Sequence, residues 1–143
     1  MRSALIGVTV IVASFVGVLA ASAGTTASTK LEATLNGKAE GAPKTNKGKA
    51  EVTLNAATGK VCWDFRLAKI DGKPNQAHIH LGKRGVSGNV IVPLGANYKR
   101  QGCTTAAKAT VRAILKSPGA YYVNVHNAKY PVGAVRGQLR TDD

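Results

Sequence analysis

From Lys30 to Leu139 the chain alternates between apolar and polar positions. In TKLEATLNG, Leu31, Ala33 and Leu35 fall on one side, with Lys30, Glu32 and Thr34 on the other. KAEVTLN repeats this with Ala50, Val52 and Leu54. KVCWDFRLAKI does so again, setting Val61, Trp63, Phe65 and Leu67 against Cys62, Asp64 and Arg66. A period of two belongs to strands with one face on a core and the other turned outward. AATG, residues 56–59, is short enough to join the last two as a hairpin. AHIHL (77–81), NVIVPL (89–94), AYYVNVHN (120–127) and AVRGQLR (134–140) extend the series. Polar turns separate them: DGKPNQ, GKRGVSG, GANYKRQG and NAKYPVG. TTAAKATVRAILKSPG (104–119) breaks the period, and Ala107, Val111, Ile114 and Leu115 fit a short helix closed by Pro118 and Gly119. GKAEGAPKTNKGK (37–49) carries no apolar period and reads as a mobile, solvated loop at a sheet edge. About seven to eight short strands with evenly spaced turns predict an all-β antiparallel sandwich or barrel.

The ends change the picture of where this fold resides. Arg2, the uncharged run Ala4–Ala20 and the small residues Ala21–Ala23 follow the order of a secretory signal peptide. A retained membrane anchor is the competing reading, because the run approaches bilayer-spanning length. Cleavage after Ala23 leaves residues 24–143, enough for one compact domain. The chain is then expected outside the cytoplasm, secreted or at the cell surface or periplasm. Cys62 and Cys103, the only cysteines, fit one disulfide in such a compartment. They lie 41 residues apart. Closing a loop of that length stabilises the folded chain by about 4 kcal/mol in the chain-entropy picture. No CxxC spacing supports metal thiolates instead.

Charge narrows the partners. The net charge is +13, and only Arg2 of the basic residues belongs to the leading segment. A domain this basic attracts polyanions, so an anionic cell-surface polymer or an extracellular protein is the expected partner. Nucleic acid fits poorly, because two Phe, one Trp and four Tyr leave few stacking platforms among the lysines. Membrane contact is expected only through an uncleaved leading segment.

The candidate chemistry lies in three histidines. Ala77, Ile79 and Leu81 share one face of their strand, which puts His78 and His80 on the other. By the same parity Tyr122, Asn124 and His126 oppose Tyr121, Val123 and Val125, while Arg136 and Gln138 oppose Val135 and Leu139. Neighbouring strands would gather these residues on one polar surface. One reading is a hydrogen-bonded network in which Tyr122, Asn124, Arg136 and Gln138 partner the histidines. Another is a copper or zinc site, since imidazole suits both ions and an H-x-H pair on a strand can chelate. Arg136 counts against the ion unless a carboxylate or anion intervenes. Acid–base catalysis ranks last: no nucleophile motif stands near, and Asp64 and Asp71 are the only acids between Glu51 and the last three residues. No catalytic residue is assigned.

The residues AHIHLGKRGVSGNVIVPL (77–94), Gly102–Cys103 and SPGAYYVNVHNAKYPVGAVRGQL (117–139) resemble the CHRD domain, named after chordin and found also in bacterial secreted proteins. The resemblance implies an immunoglobulin-like β-sandwich or barrel with limited similarity to copper/zinc superoxide dismutases. It implies no biochemical activity. In chordin the domain belongs to an extracellular protein that binds a growth factor, a partner that does not carry over to a small basic chain. The expectation is therefore a non-enzymatic binding or structural module. The alternative is a copper- or zinc-binding protein using His78, His80 and His126, with dismutase-like or scavenging activity. Dismutases of that kind use further histidines and an aspartate, and this chain has no fourth histidine.

Overall fold

The computed structural model describes residues 27–142, so the expected signal segment 1–23 lies outside the described residues. Among the described residues nine strands form: β1 (Thr29–Asn36), β2 (Lys47–Asn55), β3 (Lys60–Lys69), β4 (Pro74–Leu81), β5 (Val90–Pro93), β6 (Gln101–Thr105), β7 (Tyr121–Asn127), β8 (Val135–Gln138) and β9 (Arg140–Thr141). One α-helix among these residues, α1 (Lys108–Lys116), precedes β7. Every pairing is antiparallel.

The strands make one hydrogen-bonded sheet in the order β5-β4-β7-β8-β1-β2-β3-β6, with β9 paired to β1. A sandwich would divide them into two sheets. Here a single sheet curls into a half-barrel whose edges, β5 and β6, stay unpaired to each other. Its concave side holds one core, in which Leu31, Leu35, Val52, Leu54, Val61, Phe65, Ile79, Val123 and Leu139 are fully or almost fully buried. Val111 and Ile114 of α1 are buried in that core. The alternation in the sequence thus assigns most of the core face, although Leu81, expected on that face at the end of β4, is 47% exposed.

The hairpin at 56–59 forms as its composition predicts, with Asn55 Oδ1 accepting from the backbone N–H groups of Ala57 and Thr58. Two segments differ from expectation. Gln101–Thr105 is a strand, where the sequence suggests the end of a turn and the start of a helix. Pairing explains it: Cys103 lies opposite Cys62, and β-branched Thr104 and Thr105 lie opposite Val61 and Lys60. The disulfide Cys62–Cys103 forms across that register. The other departure is residues 37–46, which are structured against the sheet. Asn46 is completely buried, its amide donating to the Ala134 carbonyl and its Oδ1 accepting from the Asp71 N–H. A polar segment without periodicity can still be ordered when its side chains satisfy buried backbone groups.

Candidate metal centre

Strands β4 and β7 run side by side with Gln76 opposite His126, His78 opposite Asn124 and His80 opposite Tyr122. Ala77, Ile79, Val123 and Val125 occupy the core. Strand parity therefore turns His78, His80, Tyr122, Asn124 and His126 to the convex side. Arg136 of β8, opposite Asn124, joins them. This face is not wet. His80, His126, Asn124 and Arg136 are 7%, 8%, 2% and 3% exposed, and only His78 is half-buried.

Loops cover the face, and the polar side chains hold them there. Arg136 Nη2 donates to the carbonyls of Lys83 (2.8 Å) and Val86 (2.9 Å). Tyr122 Oη accepts from the Gly88 N–H. Gln138 Nε2 donates to the carbonyls of Gly82 and Gly119, and Asn124 Nδ2 to that of Val132. Two glycines let the loops approach this closely. A Cβ on Gly88 would fall 1.5 Å from the Leu81 carbonyl oxygen. One on Gly133, at φ +154°, would run into the Asn124 amide and Glu40.

This corrects the network expected from the sequence. Among the described residues, none of Tyr122, Asn124, Arg136 and Gln138 hydrogen-bonds a histidine. Their hydrogen bonds go mainly to loop backbone, because carbonyls laid over a sheet need donors once water is excluded. The histidines are left to loop carbonyls and to one another.

Their geometry converges. One ring nitrogen from each of His78, His80 and His126 lies within 4.8 Å of the others. His80 Nδ1 lies 2.9 Å from the Gly88 carbonyl and His126 Nδ1 3.0 Å from that of Pro131. A carbonyl only accepts, so both Nδ1 atoms carry the hydrogen and both Nε2 atoms present a lone pair. The Nε2 of His126 faces His78 Nδ1 at 3.1 Å. The Nε2 of His80 is buried and has no hydrogen-bond partner among the described residues. Orphaned acceptors of this kind are rare in native interiors. Tetrahedral zinc at about 2.0–2.1 Å from nitrogen sets its ligands about 3.4 Å apart. The His78–His126 pair, a hydrogen bond of 3.1 Å with His78 Nδ1 donating, is close to that spacing. The widest separation must shorten by about 1.4 Å, and His78 is the least buried of the three.

Burial prepares the rings for this role. It pushes the pKa of His78 down to about 4, with the neighbouring His126 and His80 adding to the effect. Burial likewise lowers His80 and His126, against the opposing pull of their carbonyl partners. At neutral pH all three are uncharged, the form that coordinates a metal. A carbonyl bound to the far ring nitrogen is the usual outer support of a ligating histidine.

Arg136 poses less of an obstacle than the sequence suggests. Glu40, from the segment expected to be a mobile loop, pairs with it at 3.4 Å, with side chains 8% and 4% exposed. Burial raises the Glu40 pKa while Arg136 pulls it down. Tyr122, on the strand between those of His80 and Arg136, stacks on the His80 ring (4.8 Å) and carries the guanidinium at 3.3 Å from its centroid. An aromatic ring and a buried carboxylate thus attend the cation. Glu40 and the carbonyls of Gly88 and Pro131 are site components that sequence reasoning missed. The one signal for them is Glu40 itself, the sole acid in the lysine-rich segment 37–49.

Compared with known proteins, residues 31–139 match the family model of the CHRD domain. The chain belongs to the CHRD domain family. The match runs from β1 to the residue before β9 and so takes in both strands of the histidine centre. Neither a curated protein nor a solved structure gives a significant match. The chemistry of this CHRD domain has to be argued from its own side chains.

Proposed function

We propose that this CHRD domain captures one copper or zinc ion through His78, His80 and His126. The observation that carries this reading is the buried, unpartnered Nε2 of His80, aligned by its Nδ1 bond to Gly88 beside two further imidazoles. Replacing a lost water contact with a metal bond relieves an otherwise expensive orphan. Three neutral imidazoles leave a coordination position for solvent or an external ligand, and the donor set favours copper and zinc over hard cations. The likeness to dismutases expected from the family is not carried further, because three histidines are all the chain has and they suffice for one ion. We therefore propose capture of the ion, not turnover of a substrate. The reading also takes the chain as exported, a compartment in which the Cys62–Cys103 bond is stable.

The test is calorimetric titration of the purified, metal-stripped protein with Zn²⁺ and with Cu²⁺. We expect one equivalent of at least one ion per chain. In His78→Ala, chosen because His78 is the least buried ligand, affinity should fall by more than the roughly 10–100-fold typical of losing an outer-shell partner. Sub-stoichiometric uptake of both ions, or uptake that His78→Ala leaves unchanged, overturns the reading.

A further inference from the structure

A second feature on the convex side borders the histidine chamber at Arg136 but has no histidine in its lining. The ladder joining β1 to the C-terminal strands is interrupted: Asn36 pairs Arg136, and pairing resumes only at Glu32 with Arg140. Over this break sits a cavity of about 270 Å³ lined by Thr34, Asn36, Arg84, Arg136, Gln138 and Arg140 among others. Three arginines and several neutral polar residues line it, and no carboxylate is among its lining residues.

The three arginines are held differently. Arg136 is locked from behind by Glu40 and by the carbonyls of Lys83 and Val86. Arg140 makes a 3.2 Å pair with Glu32 in which the arginine side chain remains 56% exposed. Arg84 has no ion-pair partner among the described residues. The pocket therefore joins one rigid cation to two adjustable ones. Arginine forks match the oxygens of phosphate, sulfate and carboxylate groups, and bidentate pairing there is both directional and strong. The volume falls just under the range of about 300–1,000 Å³ typical of drug-sized ligands, so it suits one acidic group and its immediate attachment.

We propose that this pocket is an oxyanion-binding site, taking one phosphate- or sulfate-like group through Arg84 and Arg140, with the buried charge of Arg136 behind them. The site involves no metal and stands or falls separately from the histidine centre. It gives the net charge of +13 a specific point of contact. Uniform charge alone attracts polyanions everywhere on the surface and with little selectivity.

The group can arrive free or on a polymer, and the experiment separates the two. The purified full chain is titrated with inorganic phosphate, with pyrophosphate and with a sulfated oligosaccharide, at fixed ionic strength and with chelator present. The double variant Arg84→Ala/Arg140→Ala is compared with Lys60→Ala/Lys108→Ala, which removes equal charge near β3 and α1. We expect the first pair to weaken binding about tenfold or more and the second less than about twofold. Phosphate or pyrophosphate binding with this dependence supports a free anion. Markedly tighter binding of the oligosaccharide with the same dependence supports a polymer-borne group. Equal losses in both variants, or no binding by any probe, overturn the site.

Discussion

The convex side of the sheet carries polar residues along its whole width, yet its two halves behave as different materials. Over β1, β2 and β3 the outward residues include charges that meet water. Lys30–Asp142, Arg66–Asp64, Arg100–Asp64 and Arg140–Glu32 are ion pairs with exposed members. Over β4, β7 and β8 residues of the same parity lie beneath loops, with Arg136, Asn124, His80 and His126 almost fully buried. Alternation reports which side of a strand faces the core, and it reports nothing about what lies on the other side. The second half becomes a chamber because long, glycine-bearing connections fold back onto it and find donors there.

Arg136 is where the two halves should differ most. Arg136→Met leaves Glu40 as a buried carboxylate without its partner and removes donors from the Lys83 and Val86 carbonyls. Breaking a buried pair from one side costs about 3–5 kcal/mol. On the open half, Arg140→Met breaks the Glu32 pair at similar distance and should change stability by no more than about 1 kcal/mol. Urea unfolding of both variants measures the contrast. The double variant Glu40→Leu/Arg136→Met tests its cause, since removing both charges should recover much of the loss. Comparable losses for Arg136→Met and Arg140→Met would erase the distinction between the halves.

Acid should act on the closed half first. The three histidines have folded-state pKa values below their ordinary 6.5, that of His78 at about 4. Between pH 6.5 and 4 the unfolded chain binds more protons at these rings than the folded one, so stability falls as pH falls through that window. Asp71 and Asp142 on exposed surfaces are held below 3.8 by Lys129 and Lys30, so their contributions fade only at lower pH. Glu40, raised by burial, works in the opposite sense to the histidines. Chelator-treated protein should show a urea midpoint that declines from pH 7 to 5, with a shallower decline in His78→Gln. A midpoint that is flat or rising over this range contradicts the buried-imidazole account. Metal affinity should weaken in the same direction, because protons compete for the ligand nitrogens.

Legibility divided along a different line, between what a strand shows by itself and what a distant partner decides. Most of the core face, the hairpin at 56–59 and the histidine side of β4 and β7 could be read from parity alone. The pairing of Cys62 with Cys103 followed from their count. Gln101–Thr105 escaped because its identity as a strand comes from the partner Lys60–Asp64, which no local pattern in GCTT announces. Segment 37–46 escaped for a related reason. Its composition is that of a solvated loop, and only Arg136, far along the chain, gives Glu40 a place to be buried. The loops over β4, β7 and β8 are built from such distant agreements. Periodicity records a residue's relation to its own strand, so it misses them.

The gentlest perturbation belongs to the open half. Glu51 sits directly opposite Glu32 on β1 and Asp64 on β3, a row of three carboxylates across adjacent strands. Like charges placed directly opposite destabilise a sheet, with cross-strand pairs worth about 0.2–1 kcal/mol. Arg140 beside Glu32 and Arg100 beside Asp64 offset part of that repulsion. Glu51→Gln removes the central charge while keeping its size and its place in the ladder. It should raise stability by a few tenths of a kcal/mol at low salt, and the gain should shrink as added salt screens the row. Thermal melts at two ionic strengths measure it. A loss of stability would mean that Glu51 is held by partners as closely as the buried residues are, and that the open half is less open than its exposure indicates.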